Sequence, residues 1–287
     1  MELTSTTSYL AADDGTRLAV HLAGAGDPLV CLPGGPMLDS AYLRDLGGLT
    51  AHRTLVRLDL RGTGSSGAPA DPATYRCDRQ VADVEAVRRH LGLERLDLLG
   101  HSAGANLLYG YAAAHPDRVA RLVLVTPSTR GLGIDTPDEA RSAVAGLRAG
   151  EPWYAEAAAA LARIQAGSGG EADWAAVMPM MYGRWDDDVR AYDAWMAGQG
   201  NDELEAAFVA DGAFDPESTR AALAQLDVPV LVLAGSYDTG NPPTVMAEVA
   251  AVFPRAGLVV QEGAGHFPWV DDPELFLGLV EGFVRTS

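Results

Sequence analysis

Short apolar runs alternate with stretches of helical periodicity along most of this chain, and the alternation predicts βαβ units around a mostly parallel sheet. The runs predict strands over residues 17–22, 28–32, 54–59, 95–99, 121–125, 228–233 and 258–261. Several are unbroken, as in Leu122-Val123-Leu124-Val125 and Val230-Leu231-Val232-Leu233, which is the pattern of strands covered on both faces. Between them Val81, Val84, Val87 and Leu91 recur at helical spacing and predict an amphipathic helix behind the sheet. A second helix is expected over 103–115, where Pro116 stops it, and a last one over 273–284 closes the domain.

From residue 131 to 224 no β-run is convincing, and alanine-rich helical stretches carry Trp153, Tyr154, Trp174, Tyr182, Trp185, Tyr192 and Trp195. This predicts a helical cap over 131–224 inserted into a core domain made of 1–130 and 225–287. Gly167-Ser168-Gly169-Gly170 is the expected joint between cap helices. Packing of those helices onto the sheet accounts for most of the aromatic residues.

The chain has 287 residues, 48% of them hydrophobic, so it can bury one sizeable core. Its net charge of −18 repels phosphate backbones and anionic lipid surfaces, so neither nucleic acid nor membrane is an expected partner. Every basic residue is arginine, which excludes lysine Schiff-base chemistry and a Walker-type phosphate loop. Cys31 and Cys77 can build no disulfide framework and have no companions for a zinc site; buried thiols are expected. Residues 1–10 lack a basic start and an apolar h-region, and no apolar run approaches the ~18 residues of a membrane span. A cytoplasmic chain is the expectation.

The chemistry concentrates where predicted strands end. In Leu99-Gly100-His101-Ser102-Ala103-Gly104 a serine stands between two glycines at a strand-to-helix junction, the nucleophile-elbow pattern. The turn is so tight that only small residues fit at Gly100 and Gly104, and its strain holds the Ser102 hydroxyl out. A serine hydroxyl needs a base to take its proton. Of six histidines His266 is the candidate, in the loop Gly263-Ala264-Gly265-His266 after the last strand. His52, His90 and His115 sit on or beside helices and His21 in a strand, while His101 is expected to pack or hydrogen-bond under the turn. Asp238, after the strand at 228–233, is the carboxylate expected to orient the imidazole, and Ser102, Asp238, His266 is the expected order. Asp135 is the runner-up. For the oxyanion, the N–H of Ala103 and one from Pro33-Gly34-Gly35-Pro36 are the candidate donors. The prolines have no N–H to give, and Gly35 is preferred over Gly34.

Together these segments resemble the α/β-hydrolase fold, and more narrowly its proline iminopeptidase-like branch. Beyond the elbow, Pro33-Gly34-Gly35-Pro36 is similar to that branch's His-Gly-Gly-Pro loop, and Asp59-Leu60-Arg61-Gly62-Thr63-Gly64-Ser65-Ser66 to its Asp-Gln-Arg-Gly-x-Gly-x-Ser turn. Ser236-Tyr237-Asp238 before Asn241-Pro242-Pro243 adds to the likeness. The chain departs from the branch at Pro33, at Leu60 and in its His-Ser-Ala elbow. The resemblance implies an α/β fold with a helical cap after the sixth strand. It also implies a cofactor-free, metal-free serine hydrolase acting on a small molecule or short peptide. An aminopeptidase or amidase is favoured over an esterase, lactonase, thioesterase or acyltransferase, and a non-catalytic small-molecule receptor is the reading from a different class. Dehalogenases and epoxide hydrolases of this fold place a carboxylate where Ser102 stands. A peptidase of the branch implies cap carboxylates for the substrate amine; Glu203 and Glu205 are candidates, with Glu151, Glu156 and Asp186-Asp187-Asp188 behind them, though a charge run is usually a solvated face.

Overall fold

The computed structural model describes residues 5–285. Eight strands form one sheet: β1 Ser5–Ala11, β2 Arg17–Gly24, β3 Pro28–Leu32, β4 Thr54–Leu58, β5 Leu96–His101, β6 Val119–Val125, β7 Val230–Gly235 and β8 Ala256–Gln261. Their order is β1-β2-β4-β3-β5-β6-β7-β8. The pairs β1–β2 and β2–β4 are antiparallel, and every pairing from β4 to β8 is parallel. The seven predicted strands are all present, with ends shifted by a residue or two. β1 is the addition: Ser-Thr-Thr-Ser-Tyr-Leu-Ala is mostly exposed, pairs on one side only, and offers no apolar alternation.

The unbroken apolar runs are explained by two cores, one on each face. Successive residues point to opposite sides of a sheet. Leu98, Leu122 and Val232 enter one core, while their neighbours Leu99, Val123 and Leu233 enter the other. The first core is covered by α1 Cys77–Leu91 and α2 Gly104–Ala114. Between β6 and β7 lie α3 Asp138–Gly146, α4 Tyr154–Gln165, α5 Glu171–Val177, α6 Asp187–Ala197, α7 Asp202–Phe208 and α8 Pro216–Leu223. Residues 167–170 link α4 to α5. α9 Pro243–Ala251, α10 Pro268–Asp271 and α11 Pro273–Arg285 complete the chain, α11 burying Phe276, Val280 and Val284 in the second core. Each such side chain is worth a few kcal/mol: truncation to Ala in a packed core costs about 2–5 kcal/mol.

The turn after β4 is structural. Asp59 accepts the Ser65 N–H at 2.8 Å and His21 Nε2 at 2.8 Å, and Arg61 is clamped by both oxygens of Asp83 on α1 at 2.6 and 2.7 Å. A paired, hydrogen-bonded charge can sit out of water where a lone one could not. Cys31 and Cys77 are buried and unbridged, and burial pushes the Cys31 thiol up to about 12. Among the described residues no helix is long and apolar enough to cross a membrane.

Candidate active site

The elbow forms where β5 gives way to α2. Ser102 has φ 49°, a left-handed conformation that costs a non-glycine residue of order 1–3 kcal/mol. Three backbone bonds impose it: the Ser102 N–H donates to the Val125 carbonyl at 3.0 Å, and its carbonyl accepts from Ala105 at 3.1 Å and Ser128 at 3.0 Å. The glycines are required by space. A Cβ on Gly104 would lie 2.6 Å from the carbonyl oxygens of Leu32 and Pro33, and one on Gly100 would lie 2.8 Å from Leu108.

His266 and Asp238 meet. Asp238, fully buried, holds His266 Nδ1 at 2.8 Å through Oδ2 and accepts the Asn241 N–H at 2.9 Å through Oδ1. Nδ1 is thereby engaged, and Nε2 is the ring nitrogen that Asp238 leaves unoccupied. Asp135, the other candidate carboxylate, is exposed on the loop before α3. The His266 backbone is tied on both sides: its N–H donates to the Met181 carbonyl at 2.7 Å, and its own carbonyl accepts from Thr126 Oγ1 at 2.9 Å and from His101 Nε2 at 2.9 Å. The two histidine rings lie 4.8 Å apart between centroids, and Ser102 directly follows His101 in the chain. Nearby, a Cβ on Gly183 would run into the Gly263 carbonyl, and Asp271 accepts the Gly265 N–H at 2.7 Å.

His101 joins this rim to the loop after β3. Because Nε2 donates to a carbonyl, its Nδ1 is an acceptor; the Tyr42 hydroxyl donates a hydrogen bond to it at 2.6 Å, and that hydroxyl accepts the Gly34 N–H at 2.6 Å. Burial, and next the proximity of His266, hold the His101 pKa well below its ordinary value, so the ring stays neutral and the polarity of the chain is fixed. Gly34 is thereby occupied. Gly35 has φ 116°, a conformation reserved for glycine.

A cavity of about 480 Å³ opens over Ser102. Ser102, Ala103, Gly35, Asn106, Ser128 and Asn241 line it from the sheet side, with Arg130 on the loop after β6, and Asp202, Glu205, Ala206 and Val209 line it from α7 and the residue beyond. Burial, and then the charge of Asp202, raise the pKa of Glu205. Of the carboxylates suspected from the sequence, Glu205 is the one that reaches this space. Asp186 caps α6 through the Val189 N–H at 3.0 Å, Asp187 is solvated, Glu151 bonds to Arg148 at 3.1 Å, and Glu156 is exposed. The aromatic residues of 131–224 pack elsewhere: Tyr182 stacks on Phe267 at 4.9 Å behind His266, Tyr192 meets it edge-on at 6.0 Å, and Trp174 is exposed. Nothing in the sequence alone singles out Tyr42, Thr126, Asp202 or Arg130. Among the described residues no group of three or more His, Cys, Asp or Glu is placed to hold a metal ion.

Comparison with known proteins agrees with this fold. Residues 27–173 match the family model described as alpha/beta hydrolase fold. A putative 2-succinyl-6-hydroxy-2,4-cyclohexadiene-1-carboxylate synthase of Bacillus subtilis is 28% identical over 98% of this chain and 99% of its own. A proline iminopeptidase of Heyndrickxia coagulans is 22% identical over 92% of each. Among solved structures, the esterase RhEst1 from Rhodococcus sp. ECU1013 superposes with a TM-score of 0.74 at 28% identity, over 98% of both chains. With an eight-stranded, mostly parallel sheet, a strained serine at the end of β5 and a family match spanning half its length, the chain belongs to the alpha/beta hydrolase fold family.

Proposed function

We propose that this protein is a serine hydrolase cleaving a small amide or ester, with Ser102 as nucleophile, His266 as base and acid, and Asp238 as the carboxylate that orients it. The reading is carried by the 2.8 Å contact of Asp238 with Nδ1 of His266, whose imidazole lies against the ring of the residue preceding Ser102. As Ser102 Oγ adds to the substrate carbonyl carbon, Nε2 of His266 takes its proton, and Asp238 stabilises the imidazolium that results. The developing oxyanion meets the N–H groups of Ala103 and Gly35. Collapse breaks the bond to the leaving group, which departs with the proton from Nε2. A water then repeats the addition on the acyl-enzyme and frees Ser102. These steps need no cofactor.

The substrate side points to an aminopeptidase or amidase like the proline iminopeptidases. Residues 131–224 act as a cap, and α7 in it turns Asp202 and Glu205 toward the space over Ser102. A substrate ammonium entering that space finds the paired charge that its desolvation requires. Esterase activity is the second reading, favoured by the full-length likeness to the Rhodococcus esterase. Turnover of aminoacyl arylamides beside short-chain p-nitrophenyl esters separates the two; an ester-only profile rejects the peptidase. Fluorophosphonate labelling that disappears in Ser102→Ala is expected under either. A Ser102 inert to the probe, with tight small-molecule binding, turns the assignment to a receptor.

A further inference from the structure

The cavity carries charge of both signs. Among the described residues Arg130 is its one basic lining group, and the Arg130 guanidinium makes no ion pair or hydrogen bond. Asp202 and Glu205 face the same space, yet neither pairs with it. The backbone that presents Arg130 is held firmly to the nucleophile's own helix. Ser128 N–H donates to the Ser102 carbonyl at 3.0 Å, the Tyr109 hydroxyl on α2 donates to the Ser128 carbonyl at 3.2 Å, and Gly131 N–H donates to Asn106 Oδ1 at 2.9 Å. A Cβ on Gly131 would lie 2.8 Å from that Asn106 oxygen, so the loop has no slack there. Arg130 is itself exposed, and on a chain of net charge −18 its charge stands on a rigid mount at the edge of the cavity that Ser102 lines.

We infer that Arg130 receives a carboxylate, and that the site takes zwitterions of dipeptide size, with the ammonium at Asp202 and Glu205 and the carboxylate at Arg130. The inference rests on the hydrolase reading above and narrows its substrate class. Separated, unpaired charges on the walls of one cavity are complementary to a ligand bearing the opposite charges at its two ends. The guanidinium's planar fork matches a carboxylate through two parallel N–H bonds. A cavity of about 480 Å³ has room for a dipeptide.

Calorimetric titration of the full-length Ser102→Ala variant tests this without turnover, using alanyl-alanine, alanyl-alaninamide and N-acetyl-alanyl-alanine. The free dipeptide is expected to bind at least about tenfold more tightly than either blocked form. Adding Arg130→Gln to Ser102→Ala should erase the preference for acid over amide and leave the preference for the free amine; Arg130→Lys should retain part of the former. Equal affinity for acid and amide, a preference that survives Arg130→Gln, or no binding of the free dipeptide at about 10 mM each overturns the inference. The hydrolase reading stands or falls separately, on fluorophosphonate labelling of the unsubstituted protein.

Discussion

Replacing Tyr42 by Phe removes one oxygen atom and leaves two buried groups without partners, the Gly34 N–H and His101 Nδ1, each now 2.6 Å from the hydroxyl. The ring keeps its contacts with His101, Phe267 and Trp269, so almost no packing is lost. A buried donor or acceptor deprived of its partner costs about 1–3 kcal/mol, and two of them give about 2–6 kcal/mol. In a chain of this size each kcal/mol moves the melting temperature by about 2 °C, so a drop of about 4–12 °C is expected. Tyr192→Phe is the control: its hydroxyl donates one bond to the Tyr42 carbonyl at 2.8 Å, so it strands one buried group instead of two and should cost about half as much, about 1–3 kcal/mol. The paired melts, followed by near-ultraviolet circular dichroism, decide it. Because Gly34 precedes the proposed oxyanion donor, kcat should fall about tenfold or more with KM little changed. A Tyr42→Phe protein that melts within 1 °C of its parent with unaltered kcat would refute the claim that this hydroxyl holds the loop.

Asp238→Asn should lower kcat on the order of 10³–10⁴-fold by disfavouring the tautomer that leaves Nε2 to accept a proton, with the fold intact by circular dichroism; a loss below tenfold would point to another carboxylate. Gly104→Ala forces a methyl 2.6 Å from two carbonyl oxygens, so a stability loss of about 1–3 kcal/mol by urea denaturation is expected, together with about 10²-fold lower kcat as β3 and its loop shift. Burial pushes the Asp271 carboxyl up to about 6 against the pull of the Gly265 N–H. A raised pKa means that the folded protein binds the proton more tightly than the unfolded chain, so this group's stabilisation is full below about pH 4 and fades as pH rises through 6. Asp271→Asn should flatten that part of the stability profile measured in urea between pH 4 and 7, and an unchanged slope would remove Asp271 from the account.

What could be read from the chain was what is encoded locally. The elbow declares itself because its glycines stand two positions either side of Ser102, where steric demand and sequence spacing coincide. His266 and Asp238 were legible because each follows a strand whose apolar run marks its end. β1 was not, because a one-sided edge strand of serines and threonines is specified by its partner's backbone and not by burial. Tyr42 acts on a residue 59 positions away, and nothing in its own neighbourhood distinguishes it from an ordinary core tyrosine. Glu205 and Glu203 look alike in sequence; the turn of a short helix brings the first to the cavity and leaves the second outside its lining.

The bond from His266 to the Met181 carbonyl fastens the long insertion in its middle and not only at its two roots. A segment pinned there cannot lift away as a single flap. Beyond the pin the Tyr192 hydroxyl is bonded to the Tyr42 carbonyl at 2.8 Å and Phe208 of α7 is buried in the first core, so the helix that bears the negative charges is itself anchored over the cavity.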